Sequence, residues 1–164
     1  MVDRRDVGSW LSGPRDALAE QGIDLGYRGQ RLGLPETGVG SVAGFGRRLG
    51  ALLIDWVASV LIARLAFPEA AAAEPGQPGA STFPLMVLGI FALEVFALTW
   101  LTGASFGQRI LGIGVRRVDG GPLAPVRALT RTVLLCLAVP ALVWDRDGRG
   151  LHDRASGSVC VRTR

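Results

Sequence analysis

The sequence contains no lysine, since all eighteen of its basic residues are arginine. Together with 23 glycines, this bias indicates a GC-rich bacterial genome rather than a function. The arginines flank apolar segments instead of forming one dense tract. The net charge of +4 therefore points to anionic lipid headgroups as the partner, and not to nucleic acid.

Cysteines and catalytic motifs are also scarce. The two cysteines, Cys136 and Cys160, lie far apart without CxxC spacing, so we expect neither a disulfide nor a metal site. No P-loop and no GxSxG motif occurs. The adjacent pair His152 and Asp153 has no nucleophile or oxyanion motif beside it, and we expect Asp153 to accept hydrogen bonds from arginine or backbone donors at the membrane surface. The sequence thus predicts no enzyme, no cofactor and no metal centre.

The N-terminal segment lacks the apolar stretch and the cleavage site of a secretory signal. Residues 1–43 are polar and rich in glycine, and they predict a cytoplasmic tail. A short helix is expected near residues 14–21, because Ser12 could cap it, Pro14 suits a first turn and Gly22 could end it.

Long apolar runs are what the chain does have. Residues 49–67 and 84–102 are both close to the roughly 20 residues that a helix needs to cross the hydrocarbon core. The segment between them, 68–82, holds three prolines, two glutamates and no arginine, and it predicts a connecting loop. The fold class is therefore a mainly α-helical membrane protein with two transmembrane helices.

The distribution of arginine predicts the orientation. Arg47 and Arg48 precede the first span, and further arginines follow the second, at Arg109, Arg116, Arg117 and Arg127. Because arginine-rich flanks remain in the cytoplasm, the loop 68–82 should face outward. We expect a multi-pass protein of the bacterial plasma membrane with a cytoplasmic N-terminus.

A third apolar segment, at about residues 127–144, is harder to assign. Its uninterrupted part, 132–144, contains Pro140 and is short for a crossing. A full crossing would also export five C-terminal arginines, against the charge rule. A re-entrant helix is therefore the favoured interpretation, and a spanning helix is the alternative.

Two stretches have strand-like patterns. Residues 110–124, ILGIGVRRVDGGPLA, predict a cytoplasmic β-hairpin with its turn at Asp119, Gly120 and Gly121. The C-terminal SGSVCVRT alternates and predicts a strand that pairs with the edge of that hairpin. Pairing requires both stretches to lie on the same side of the membrane, which agrees with a re-entrant third segment.

Asp55 lies about two turns into the first span. A carboxylate there costs on the order of 2.5–3.5 kcal/mol on insertion scales, so it should face protein, water or a partner. Arg48 stands seven residues earlier on nearly the same helix face, about 10 Å away along the axis. Its side chain could curl towards Asp55, or a third group could bridge them. The functional interpretation is an ion or proton site; the favoured one is a structural polar network that orients the helices.

Glu94 is the only charged residue of the second span and lies near the middle of the membrane. It could pair with Asp55 through a shared proton or cation, or with Arg64 near the outer end of the first span. Asp55 and Glu94 are therefore the candidates for an intramembrane ion or proton site.

Three blocks in order, FGRRLGALLIDW, GASFGQRILGIGVRRVDGG and RGLHDRASGSVCV, resemble the RDD family of bacterial membrane proteins. The arginine and two aspartates that name the family match Arg48, Asp55 and Asp153. The resemblance covers about residues 44–162 and defines a membrane domain over 44–164. Two departures are modest: Arg109 stands where lysine is usual, and serines replace part of the usual A-G-T before the last strand.

The resemblance implies transport, because transport, including cation/proton exchange, has been proposed for some members. Two hypotheses from different classes remain open. In the first, the protein exchanges a small ion as a homo-oligomer, with Asp55 and Glu94 as carriers. Two spans and a short third segment are too few for a monomer to enclose a pathway. In the second, it is a structural or assembly subunit that docks onto another membrane protein.

Overall fold

Two long helices dominate the structure, a computed structural model that describes residues 26–137, 145 and 147–164. Helix α1 spans Phe45–Ala66 and helix α3 spans Pro78–Thr102, with 22 and 25 residues. At about 1.5 Å per residue, each exceeds the roughly 30 Å of a hydrocarbon core. Both are apolar enough to cross a membrane, as the sequence predicts.

The connection between these helices is more ordered than predicted. A short helix, α2 (Pro68–Ala72), follows α1, and α3 begins at Pro78. Both prolines stand at a first helical position, where the missing backbone N–H leaves no hydrogen bond unmade. The prediction of a loop throughout 68–82 is therefore wrong, because these prolines begin helices instead of preventing them.

The two long helices pack through one face each. The buried residues recur at every fourth position, which places them on one side of a helix: Ala51, Asp55, Ser59 and Ala63 in α1, and Val87, Phe91, Val95 and Thr99 in α3. Small and polar side chains of α1 thus meet larger ones of α3. Trp56 adds an edge-to-face contact with Phe91, with ring centroids 5.6 Å apart.

The opposite faces of these helices carry large apolar side chains that no other part of the described chain covers. Examples are Leu53 and Leu61 of α1 and Leu85 and Leu93 of α3, all more than half exposed. A helix with its carboxylate inside and its leucines outside has the pattern expected when lipid is the solvent.

The remaining elements gather at one end of the two long helices. They are α4 (Phe106–Ile110), β1 (Ile113–Arg117), α5 (Pro125–Cys136), α6 (Leu151–Ala155) and β2 (Ser158–Arg162). Strands β1 and β2 pair antiparallel, with Ile113 opposite Arg162 and Arg117 opposite Ser158. The predicted C-terminal strand is confirmed.

The predicted hairpin is wrong. The turn at Asp119 and Gly120 is present, but no strand follows it: Pro122 lacks a backbone donor, and Pro125 begins α5. The other edge of β1 is met by the end of α3, where Val115 N donates to the carbonyl of Gly103 at 2.6 Å. The strand thus pairs with a distant segment of the chain and not with its neighbour.

The end of the predicted N-terminal tail joins the domain. Val42 forms a β-bridge with Val161, and Ala43 N donates to the carbonyl of Cys160 at 2.9 Å. A 3-10 turn, Gln30–Leu32, precedes this segment. The helix predicted near residues 14–21 lies outside the described residues.

Helix α5 corresponds to the first part of the third apolar segment. It packs against α3 and α6, and its buried residues are Ala128, Arg131 and Thr132. The inward face of this helix therefore carries a charge. Residues 138–144, which complete the predicted segment, lie outside the described residues.

Candidate functional site

The first of two buried charge clusters is centred on Asp153, which is 0% exposed. Arg131 of α5 donates from Nε to Asp153 Oδ1 at 2.8 Å, and Arg48 of α1 donates from Nη1 to Oδ2 at 3.3 Å. Arg48 also donates from Nη2 to the carbonyl of Cys160 at 3.1 Å. The carboxylate thus connects α1, α5 and α6, and Arg48 extends the connection to β2.

The charges around Asp153 keep it ionised. Burial by itself raises the pKa of this carboxyl. Electrostatic attraction, from Arg131 most strongly and then from His152 and Arg48, outweighs burial and holds the pKa below its usual value. His152 Nε2 lies 3.5 Å from Asp153 Oδ1. A carboxylate bracketed by two guanidinium groups is a fixed charge that holds helices together.

The serines that depart from the family pattern fit the same cluster. Ser156 Oγ donates to the carbonyl of His152 at 2.8 Å and lies 2.8 Å from Ser158 Oγ. Both hydroxyls are buried at the junction of α6 and β2. The substitution therefore keeps hydrogen-bonding groups where the chain turns from Asp153 into the last strand.

The second cluster is centred on Asp55, which is 3% exposed. Ser105 Oγ donates to Asp55 Oδ2 at 2.6 Å, and the backbone N–H of Gly107 donates to Oδ1 at 2.5 Å. Ser105 also caps α4 and forms a capping box with Gln108. Asp55 is therefore balanced by neutral donors at the start of α4.

The close approach of α4 to α1 depends on a glycine. A Cβ atom on Gly107 would lie 2.2 Å from the carbonyl oxygen of Ala51 and 3.0 Å from Asp55 Oδ1. No side chain fits in that space without moving one of the helices. Gly107 thus allows its own N–H to reach the Asp55 carboxylate.

Glu94 of α3 reaches the same short segment. Its Oε1 accepts the backbone N–H of Phe106 at 2.8 Å. Three consecutive residues, 105–107, therefore donate to carboxylates of the two long helices. Glu94 Oε2 is buried and has no hydrogen-bond partner within the described part of the chain.

The two clusters share a residue that sequence reasoning did not assign to the site. Arg131, which binds Asp153, also exerts an electrostatic attraction on Asp55, although it forms no ion pair with that carboxylate among the described residues. A third group that bridges Arg48 and Asp55 stays a prediction. Arg64, the alternative partner of Glu94, is exposed and forms no ion pair with any described residue.

Signals for the missed residues were present in the sequence. Arg131 is an arginine within an apolar segment, and such residues mark sites by default. Ser105 and Gln108 have the S-x-x-Q spacing of a capping box. The role of Gly107 could not be found, because a close contact between two distant backbones leaves no local pattern.

Two apolar helices long enough to span a bilayer, the first with a buried carboxylate on its inner face, define an integral membrane protein of the helical class. The sequence model of the RDD family matches residues 42–157. The chain belongs to the RDD family, a family of membrane proteins. No curated protein and no solved structure is significantly similar to it. The matched range includes Arg48, Asp55 and Asp153.

Proposed function

We propose that this protein exchanges a small cation or a proton across the membrane as a homo-oligomer, with Asp55 and Glu94 as the groups that bind it. The observation that carries the proposal is the meeting of carboxylates from both long helices at residues 105–107. Paired acidic side chains within membrane helices are a feature of ion and proton pathways.

The charge balance supports this assignment. Arg131 and the partly buried Arg48 supply two positive charges, whereas Asp55, Glu94 and Asp153 supply three negative ones when all are ionised. Since an uncompensated buried charge is costly, one proton or one monovalent cation would neutralise the group. Glu94 is the residue to receive it, because Oε2 is available while Oε1 keeps its bond to Phe106.

The proposed orientation has the N-terminus in the cytoplasm and the arginine-free connection outside, in the plasma membrane of a bacterium. The pairing of β1 with β2 supports a re-entrant third segment. Strand β1 follows α3 within about ten residues, and β2 lies beside it. If the third segment crossed the membrane fully, the chain would need a further crossing to bring β2 back beside β1.

Flux measurements in proteoliposomes test the proposal. Glu94→Gln should abolish proton-coupled cation flux that the wild type supports, whereas Glu69→Gln, which neutralises an exposed glutamate of α2, should leave it intact. Size-exclusion chromatography of each variant shows whether it is folded. Absence of flux in folded wild-type protein, for protons and for monovalent cations alike, would rule the proposal out.

A second candidate is a structural or assembly subunit of a larger membrane complex. It is favoured by the complete hydrogen bonding of Asp55 and Asp153, whose carboxylate oxygens all have donors. Carboxylates with all their donors in place orient helices and need not bind a transported ion. Purification in mild detergent followed by mass spectrometry tests it, and a homo-oligomer without a co-purifying chain counts against it. Neither candidate involves an enzymatic activity, a cofactor or nucleic acid.

A further inference from the structure

A pocket lies between the end of α3, α4 and strand β1. Three arginines line it, Arg109 from α4, Arg116 from β1 and Arg164 from the C-terminal residues, and no acidic side chain does. Its volume of about 460 Å³ is within the range of roughly 300–1,000 Å³ that small-molecule sites occupy. The pocket is thus large enough for a ligand and uniformly positive.

Two of the three arginines of this pocket are available for a ligand. The side chains of Arg109 and Arg116 are exposed and form no hydrogen bond or ion pair with the described residues. Arg164 is held at the rim, because its Nη2 donates to the carbonyl of Arg109 at 3.1 Å. Guanidinium groups bind oxyanions with paired N–H donors and direct charge, so the chemistry of the pocket suits an oxyanion such as phosphate.

The position of the pocket indicates where that phosphate comes from. Thr102, which lines it, is the last residue of the spanning helix α3. Leu101, Phe106 and Ile110, which neighbour the lining residues in the chain, are each more than 45% exposed. Basic groups beside exposed apolar side chains at the end of a membrane helix match the headgroup and acyl layers of a bilayer.

We infer that the pocket lined by Arg109, Arg116 and Arg164 binds the phosphate of an anionic phospholipid headgroup. The apolar side chains beside it lie against the acyl chains of the same lipid. The inference is independent of the proposed ion exchange, because it involves neither Asp55 nor Glu94. A bound lipid here would fix the arrangement of α3, α4 and β1, and α3 and α4 contribute Glu94 and Gly107 to the Asp55 cluster.

Thermal unfolding of the full chain in a neutral detergent tests the inference. Dioctanoyl phosphatidylglycerol should stabilise the wild type in a saturable way, and dioctanoyl phosphatidylcholine should bind much more weakly. Each arginine near a membrane surface contributes about 1 kcal/mol of attraction to anionic lipid. The double variant Arg109→Gln/Arg116→Gln should therefore bind phosphatidylglycerol at least about tenfold more weakly.

A matched control separates a site from general attraction. Arg31→Gln/Arg154→Gln removes the same charge from two exposed arginines outside the pocket and should leave the apparent Kd within about twofold. The charge-retaining Arg109→Lys/Arg116→Lys should bind more tightly than the glutamine variant and shows that the fold tolerates substitution there.

Three results would overturn the inference. Equal weakening in the control and pocket variants would mean delocalised attraction. Equal binding of phosphatidylcholine would mean that the pocket does not select an anionic headgroup. Saturation by inorganic phosphate at the same concentration as by phosphatidylglycerol would make the ligand a free anion rather than a lipid.

Discussion

Asp55 and Asp153 are both buried aspartates of the same domain, but the protein compensates their charges differently. Asp153 lies between two guanidinium groups, from Arg48 and Arg131. Asp55 accepts instead from a hydroxyl and a backbone N–H at the start of α4. One site is an ion-pair network, and the other is a carboxylate held by neutral donors.

The difference shows what each site can do. Removing the charge at Asp153 leaves two buried arginines without their counter-ion, so that site is confined to one ionisation state. The donors around Asp55 carry no full charge, and the group beside it, Glu94, has an oxygen available. Only the second site can change its charge without disrupting an ion pair, which is why the proposed exchange is assigned to it.

Neutralising Asp153 should have the largest effect. Asp153→Asn leaves Arg48 and Arg131 buried without a negative partner, and loss of one member of a buried ion pair costs about 3–5 kcal/mol. Denaturant unfolding in detergent measures it. Asp119→Asn, at an exposed ion pair with Arg117, is the control and should not shift the midpoint. Equal stability of Asp153→Asn and wild type would contradict the network.

Gly107→Ala should come next. The added methyl group would meet the carbonyl of Ala51, and overpacking of this kind costs about 1–3 kcal/mol. Gly89→Ala is the matched control, because a Cβ at Gly89 has no atom within 4 Å and alanine favours helix. Unfolding midpoints of the two variants should move in opposite directions, and a shared direction would exclude the close contact as the cause.

Neutralising Asp55 should cost less than neutralising Asp153. In Asp55→Asn the side-chain oxygen still accepts the N–H of Gly107, and the new amide can donate to Ser105 Oγ, so a loss of about 1 kcal/mol is expected. The same unfolding assay measures it. Ser105→Ala should have a similar cost, since it removes a cap and a donor. If Asp55→Asn destabilised the protein as much as Asp153→Asn, the two sites would not differ in the way described.

The sequence predicts the two long helices well, because apolar runs of membrane length leave few alternatives. It also identifies Arg48, Asp55 and Asp153 through the family resemblance. The sequence does not predict which residues these side chains contact. The spacing of Arg48 and Asp55 draws attention to that pair, yet Arg48 binds Asp153, 105 positions away, and Asp55 binds residues 50 and 52 positions away.

The strands show the same limit. The patterns in residues 110–124 and in the C-terminal SGSVCVRT predict the two strands that form, but the turn at Asp119 suggests the wrong partner. A turn signal and an alternating run are local properties. Which edge a strand pairs with depends on how α5 and α6 return the chain, and these two helices are joined by the hydrogen bond from Arg131 to Asp153.

The smallest expected effect is the contribution of Asp153 to the acid dependence of stability. Because the pKa of Asp153 is lower in the folded protein than its usual value of 3.8, the unfolded chain takes up this proton first. The stabilisation is therefore fully present above about pH 4 to 5 and is lost as the pH falls towards the folded pKa.

Asp153→Asn lacks this loss, so the difference in unfolding free energy between wild type and variant should shrink by less than about 1 kcal/mol between pH 4 and pH 3. Asp55→Asn, measured in parallel, shows whether a carboxylate held by neutral donors behaves differently. A wild-type advantage over Asp153→Asn that grew on acidification would mean that the arginines do not hold this carboxylate in its ionised form.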